Sequence, residues 1–182
     1  MPKFVAPTPL PSFQVESIDG TTVQVPSPRH RFTHLQFRRF AGCPICDIHL
    51  QQFAARADTL EENGIQEVVF FHSSQAALLK HNAKLPFSVV ADPHKVHYRA
   101  FGVEASLLSV LHPQAIWQGL RGTLRKGLGL SLKNGPLGLP ADFLVGSTGT
   151  IVAAKYGTHA FDQWSLDQVL QLVQQENEPS FE

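Results

Sequence analysis

The sequence predicts an α/β fold of three layers, with a central mixed sheet, helices on both of its faces and an N-terminal hairpin. Three observations lead there. Short apolar runs with a period of two alternate with stretches whose apolar residues recur every three or four positions. Gly, Pro and Asp-Gly signals punctuate the boundaries. After the hairpin the order is β-α-β-α-β-α, an interrupted stretch, then β-β-α, and such alternation builds a sheet flanked by crossover helices.

Residues 1–12 read as an irregular arm, because Pro2, Pro7, Pro9 and Pro11 remove backbone donors. Phe13–Glu16 and Thr21–Val25 flank Ile18-Asp19-Gly20, a hairpin signal. Thr33–Phe40 reads as a strand, with Leu35 and Phe37 alternating with Gln36 and Arg38. Gly42 and Pro44 break it, and a helix carrying Leu50, Phe53, Ala54, Ala57 and Leu60 runs toward Gly64. Glu67–Phe71 reads as a strand buried on both faces. Ser73 or Ser74 caps a helix to about Lys84, and Ser88–Ala91 is a further strand. Asp92 as N-cap and Pro93 as first helical residue open a short helix to about Phe101. Phe143–Val145 and Ile151–Tyr156 form a hairpin, and Ser165 with Gln168 makes a capping box before a last helix that frays after about Glu176.

The chain has 182 residues, of which 43% are hydrophobic and 16% charged. That suits one domain over residues 1–182 and excludes a wholly disordered chain. Fifteen basic residues balance fifteen acidic ones, so charge supports neither nucleic acid nor membrane as the main partner. No stretch approaches the roughly 18 apolar residues of a membrane span. Met1–Pro11 lacks the pattern of a secretory signal, so a cytoplasmic location is expected. Residues 105–139 stand apart: Arg121, Arg125, Lys126 and Lys133 occur there without an acidic residue, among many glycines. They read as a partly helical basic insertion. Its segment 113–135, which includes Trp117, is expected to pack over the active-site face, with a surface for an acidic partner, membrane or nucleic acid as the alternative.

The two cysteines, Cys43 and Cys46, sit at the predicted strand-to-helix turn in Arg38-Arg39-Phe40-Ala41-Gly42-Cys43-Pro44-Ile45-Cys46. A thiolate at a helix N-terminus faces unpaired N–H groups and the positive end of the dipole, which lowers its pKa. Spacing of three across the first turn brings two sulfurs within bridging range. Pro44 suits the first turn and leaves Cys43 at its exposed tip. Cys43 is therefore expected as the nucleophile. Cys46, one turn in, is the more buried and resolves a sulfenic acid or mixed disulfide. The alternatives are two inert buried thiols or half of a zinc site. No histidine pair completes a zinc site, so no metal and no cofactor is expected. His49 reads as a surface histidine or a local pKa modulator. Arg38, Arg39 and Arg121 read first as solvated surface arginines, although Arg39 or Arg38 would assist the thiol if turned toward it. Tyr156, His159 and Trp164 read as core trim.

Residues 38–50, RRFAGCPICDIHL, resemble the peroxiredoxin-like branch of the AhpC/TSA superfamily. The segments 85–103, 106–139 and 139–157 are similar to the strand, insertion and late hairpin of that branch. The resemblance implies a thioredoxin fold, thiol-dependent antioxidant or oxidoreductase chemistry, and Cys43 as the first redox cysteine. Mainstream members carry Pro-x-x-x-Thr/Ser-x-x-Cys, where this chain has Gln36 and Phe40 at the corresponding positions. Pro140 stands where their late arginine would be, and a proline there resembles the cis-proline of thioredoxins, so a cis Leu139–Pro140 bond is expected. Peroxide reduction and thiol–disulfide exchange thus stand as alternatives. The expected partners are a small-molecule peroxide or disulfide, a dithiol reductant of thioredoxin type and, as an open option, a second copy in a homodimer. The rival reading is a redox-sensing module whose disulfide switches a surface such as 113–135.

Overall fold

In the computed structural model, residues 3–103 and 138–177 are described. The basic insertion, with Trp117 and Arg121, lies almost wholly outside them. A six-stranded mixed sheet has the order β1-β8-β7-β4-β5-β6. Its strands are β1 (Thr8–Pro9), β4 (Phe32–Arg38), β5 (Ile65–Phe71), β6 (Ser88–Ala91), β7 (Ala141–Gly146) and β8 (Thr150–Tyr156). β4, β5 and β6 are parallel, while β7 and β8 run antiparallel to their neighbours. The expected hairpin is β2 (Phe13–Glu16) with β3 (Thr22–Val25), a separate two-stranded sheet. The arm is not wholly irregular: Thr8 and Pro9 pair with Ile151 and Thr150 at the sheet edge, where a strand tolerates proline.

The single helix expected before Gly64 is two helices, α1 (Pro44–Ala54) and α2 (Ala57–Glu62). The chain bends at Ala55 and Arg56, so that Phe53 and Leu60 both enter the core. α3 (Gln75–Asn82) has the expected cap, with the Ser74 side chain accepting from the Ala77 N–H. α4 (Val96–Ala100) starts three residues later than expected. Asp92 still caps it, because its carboxylate accepts the N–H groups of Val96, His97 and Tyr98. α5 (Leu166–Asn177) carries the capping box, Ser165 N–H to Gln168 at 2.9 Å and Gln168 N–H to Ser165 at 3.3 Å.

The period-two rule divides the sheet's side chains. Leu35, Phe37, Val68, Phe70, Phe143 and Val145 face the hairpin and α4, against Val25, Tyr98 and Phe101. On the other face, Leu144 packs with Phe53 and with Leu166, Val169 and Val173 of α5, and Val69 and Phe71 pack under α1 and α3. Every residue of β4 is buried, so Gln36 and Arg38 are interior, not solvent-facing. The parallel strands end at one edge, where loops of such sheets place reactive groups. That edge collects Arg39–Cys43, His72–Ser74, Asp92–Lys95 and, from the start of antiparallel β7, Gly138–Pro140.

Candidate active site

The thiols are held by the turn between β4 and α1. Gly42 adopts φ +74°, a left-handed conformation suited to glycine. The Cys43 N–H donates to the Phe40 carbonyl at 3.1 Å, and the Ala41 N–H donates to Ser73 Oγ at 3.0 Å. Cys43 is thereby the N-cap of α1, Pro44 occupies the first turn, and Cys46 lies one turn in.

The expectation that Cys43 is the exposed thiol is not met: Cys43 is 1% exposed and Cys46 2%. The exposed tip is Pro44, one residue along, while Cys43 points back among Leu50, Phe71 and Leu78. Burial has not made the two thiols alike. A hydrogen bond from Cys46 lowers the Cys43 pKa most; burial opposes, but Arg39 and the N–H groups of Cys46 and Ile45 favour the thiolate, leaving it at about 7. The same contact, burial and the Cys43 charge push Cys46 well above its ordinary value, against the Arg39 backbone N–H and the Arg38 charge.

Neither Arg38 nor Arg39 is a surface arginine; they are 0% and 8% exposed. Arg38 turns under α1 into a buried charged layer that the sequence did not reveal. Its Nη2 donates to Asp142 Oδ1 at 2.6 Å and to Gln36, and lies 3.2 Å from His49 Nε2. Gln36 donates to Glu67 at 2.7 Å, Glu67 meets His34 Nδ1 at 2.8 Å, and His34 Nε2 lies 3.4 Å from Asp142. Two cations and two carboxylates close this ring, as a buried charge requires. Burial disfavours the His34 cation, but Glu67 and Asp142 outweigh it and raise its pKa to about 9. Burial likewise opposes the Asp142 carboxylate, and Arg38 and His34 overcome it and hold its pKa well below the usual range. His49 is buried, not surface, and burial and Arg38 hold it neutral, with a pKa near 3. The available signal was the period of two itself, since His34, Gln36 and Arg38 share one strand face.

Pro140 sits at the active edge, its carbonyl accepting the Gly157 N–H at 2.8 Å. The expected cis bond before it is not present. Among the described residues the cis bonds are Ala6–Pro7 and Val25–Pro26, and Leu139–Pro140 is trans. Leu139–Pro140 thus keeps the ordinary trans preference of an X-Pro bond. Tyr156 and Trp164 serve the packing: the Tyr156 hydroxyl donates to the Phe101 carbonyl at 2.7 Å, and Trp164 joins the α5 core. His159 lies in the following turn, where its Nδ1 accepts the Phe161 N–H at 3.3 Å. Among the described residues no group of three His, Cys, Asp or Glu side chains is arranged to hold a metal, and no helix is long and apolar enough to cross a membrane.

The AhpC/TSA family profile matches residues 7–154. Among curated proteins, none matches the chain. Solved structures share the fold. Peroxidoxin BcpB from Mycobacterium tuberculosis aligns with TM-score 0.69 and 14% identity over 94% of this chain and 97% of its own. Peroxiredoxin Q from Xanthomonas campestris gives 0.65 and 16% over 91% and 92%. A putative thiol:disulfide interchange protein DsbE from Chlorobium tepidum gives 0.59 and 17% over 92% and 96%.

Proposed function

Because the chain belongs to the AhpC/TSA family and has the thioredoxin fold, we propose that it is a thiol oxidoreductase working through Cys43 and Cys46. The Cys43 thiolate attacks a peroxide or a disulfide. With a peroxide, the O–O bond breaks, Cys43 becomes a sulfenic acid and the departing oxygen takes a proton. The Cys46 sulfur then attacks Cys43, water leaves and a disulfide closes. A cellular dithiol, of the kind kept reduced in cytoplasm, attacks that disulfide and restores both thiols.

The observation that carries this reading is the opposed state of two touching thiols. The hydrogen bond from Cys46, then Arg39 and backbone N–H groups, draw the Cys43 pKa down to about 7 against burial, while the same contact and burial push Cys46 upward. Inert structural thiols would both be pushed upward by burial. With Cys43 1% exposed, this reading requires a local opening for substrate, which we place beside the exposed Pro44.

The test is mass spectrometry after one equivalent of hydrogen peroxide, with dithiothreitol-driven turnover of peroxide and of a small disulfide alongside. Wild type forms a Cys43–Cys46 disulfide, Cys46→Ser accumulates sulfenic acid at Cys43, and Cys43→Ser is inactive. Full activity in Cys43→Ser, or two thiols still alkylatable after oxidant, would overturn it.

A further inference from the structure

Between α1 and the end of α3 lies a cavity of about 280 Å³, lined by Asp47, Leu50 and Gln51 on one side and by His81, Asn82 and Lys84 on the other. Asp47, Leu50 and Gln51 share one face of α1, because helix residues three and four apart are neighbours. Asn82 is the last residue of α3, and Lys84 follows it on the way to β6.

The cavity adjoins the cysteine turn. The Asp47 N–H donates to the Cys43 carbonyl at 2.9 Å, and Leu50 belongs to the apolar cluster that holds Cys43. A Cβ on Gly42 would stand 3.3 Å from the His81 ring. Neither cysteine lines the cavity, so the thiol chemistry does not account for it.

The lining restricts the occupant in three ways. The volume is just below the roughly 300–1,000 Å³ of most small-molecule sites, so the occupant is small. One charge of each sign, Asp47 on one side and Lys84 on the other, suits a molecule that carries both; an apolar occupant would leave them buried and unpaired. Asn82 is 4% exposed, and its Oδ1 has no hydrogen-bond partner among the described residues. A buried acceptor without a donor is costly and calls for an explanation. The occupant therefore brings an N–H or O–H to Asn82. Gln51, exposed on α1, offers an amide donor for a carbonyl.

We propose that this cavity is a binding site for a short peptide of two or three residues. A backbone N–H of the peptide donates to Asn82 Oδ1, its carboxylate meets Lys84 and its ammonium meets Asp47. The proposal is independent of the thiol oxidoreductase reading, since no group of the site is a thiol and no step of that chemistry is needed for binding.

The test is a titration of the ¹⁵N-labelled full chain with triglycine, followed by NMR. Wild type should show saturable shifts centred on the residues that line the cavity. Asn82→Leu keeps the size of the side chain and removes the acceptor. It should weaken triglycine binding about tenfold, the value of one lost hydrogen bond, while the urea midpoint holds or rises, because an apolar group is cheaper there than an unpaired acceptor. Lys84→Met should weaken triglycine about threefold and leave triglycine amide, which has no carboxylate, unchanged. Cys43→Ser should bind as wild type does, which separates failure of this site from failure of the thiol reading. Shifts that do not saturate, or that centre elsewhere, overturn the proposal. So does a lower urea midpoint in Asn82→Leu, which would make the carboxamide a structural group, or an equal loss of both peptides in Lys84→Met. Glucose, with hydroxyls and no charge, should give no saturable shifts, and glucose binding as tightly as triglycine overturns the assignment to a peptide.

Discussion

At pH 7 iodoacetamide should modify Cys43 before Cys46, and by a margin the site's electrostatics define. Cys43 titrates near 7, so about half of it is thiolate at that pH, against about 1% of a thiol at 9. The gain in thiolate is about fiftyfold. A less basic thiolate is a weaker nucleophile, and with a Brønsted slope near 0.45 two units cost about eightfold. The net preference over a thiol at 9 is about sixfold, and Cys46 is held above that value. The two are equally buried, at 1% and 2%, so access does not distort the comparison. Limiting reagent followed by fragmentation of the peptide spanning both residues reads the ratio. The pH profile then assigns the cause. Cys46→Ala should raise the Cys43 midpoint most, because the Cys46 hydrogen bond is the largest influence on it, and Arg39→Met should raise it by less. Equal labelling of the two thiols, or a Cys43 midpoint still near 7 without Cys46, would refute this reasoning.

Three further outcomes follow from the buried charges and the tight turns. Below pH 6.5 stability should fall with pH, because the unfolded chain protonates His49 and His72 while the folded chain, at about 3 and 4, does not. Above 6.5 the folded chain keeps the His34 proton up to about 9, which lowers stability as pH rises, while early ionisation of Cys43 opposes it between 7 and 9. Urea unfolding should therefore show a flattened alkaline limb in wild type and a drop of up to about 3 kcal/mol from pH 6.5 to 9 in Cys43→Ser. Arg38→Met strands the buried Asp142 carboxylate and should cost about 3–5 kcal/mol, part of which Asp142→Asn restores in the double variant. Gly157→Ala would place its Cβ 2.4 Å from the Asp162 carbonyl and 2.8 Å from the Pro140 ring, so a loss of roughly 1–3 kcal/mol in thermal or urea unfolding is expected.

Where local chemistry dictates local form, the sequence was readable. The Asp-Gly hairpin, the Ser74 cap, the Ser165–Gln168 box and the cysteine pair at a strand-to-helix turn all form as their residues require. The misses come from contacts made at long range. Nothing near Ala55 marks the bend between α1 and α2; the need to seat Phe53 and Leu60 in one core does. The depth of Cys43 is set by Phe71 and Leu78, which come from other elements. The polar layer needed three strands at once. His34 meets Glu67 on one neighbouring strand and Asp142 on the other, and only the parallel and antiparallel registers bring them together.

The two arginines before the turn show how much such placement decides. In the sequence Arg38 and Arg39 are interchangeable cations ahead of a thiol. In the fold they separate, because Arg38 is the last residue of β4 and its side chain follows the strand's alternation. Arg38 goes beneath α1, where Asp142 neutralises it and His49 ties it to the helix that carries Cys46. Arg39 leaves the ladder, its Cγ lies 3.8 Å from where a Cβ on Gly138 would stand, and its charge favours the Cys43 thiolate. Exchanging their surroundings would not conserve function. A cation under α1 without Asp142 destabilises the core, whereas the cation beside Cys43 acts on the thiol. The arrangement requires that Arg39→Met raise the Cys43 midpoint, and that Arg38→Met lower stability while moving that midpoint less. Alkylation midpoint and urea unfolding measured on both variants separate the two effects, and a common phenotype would show that the division of labour is absent.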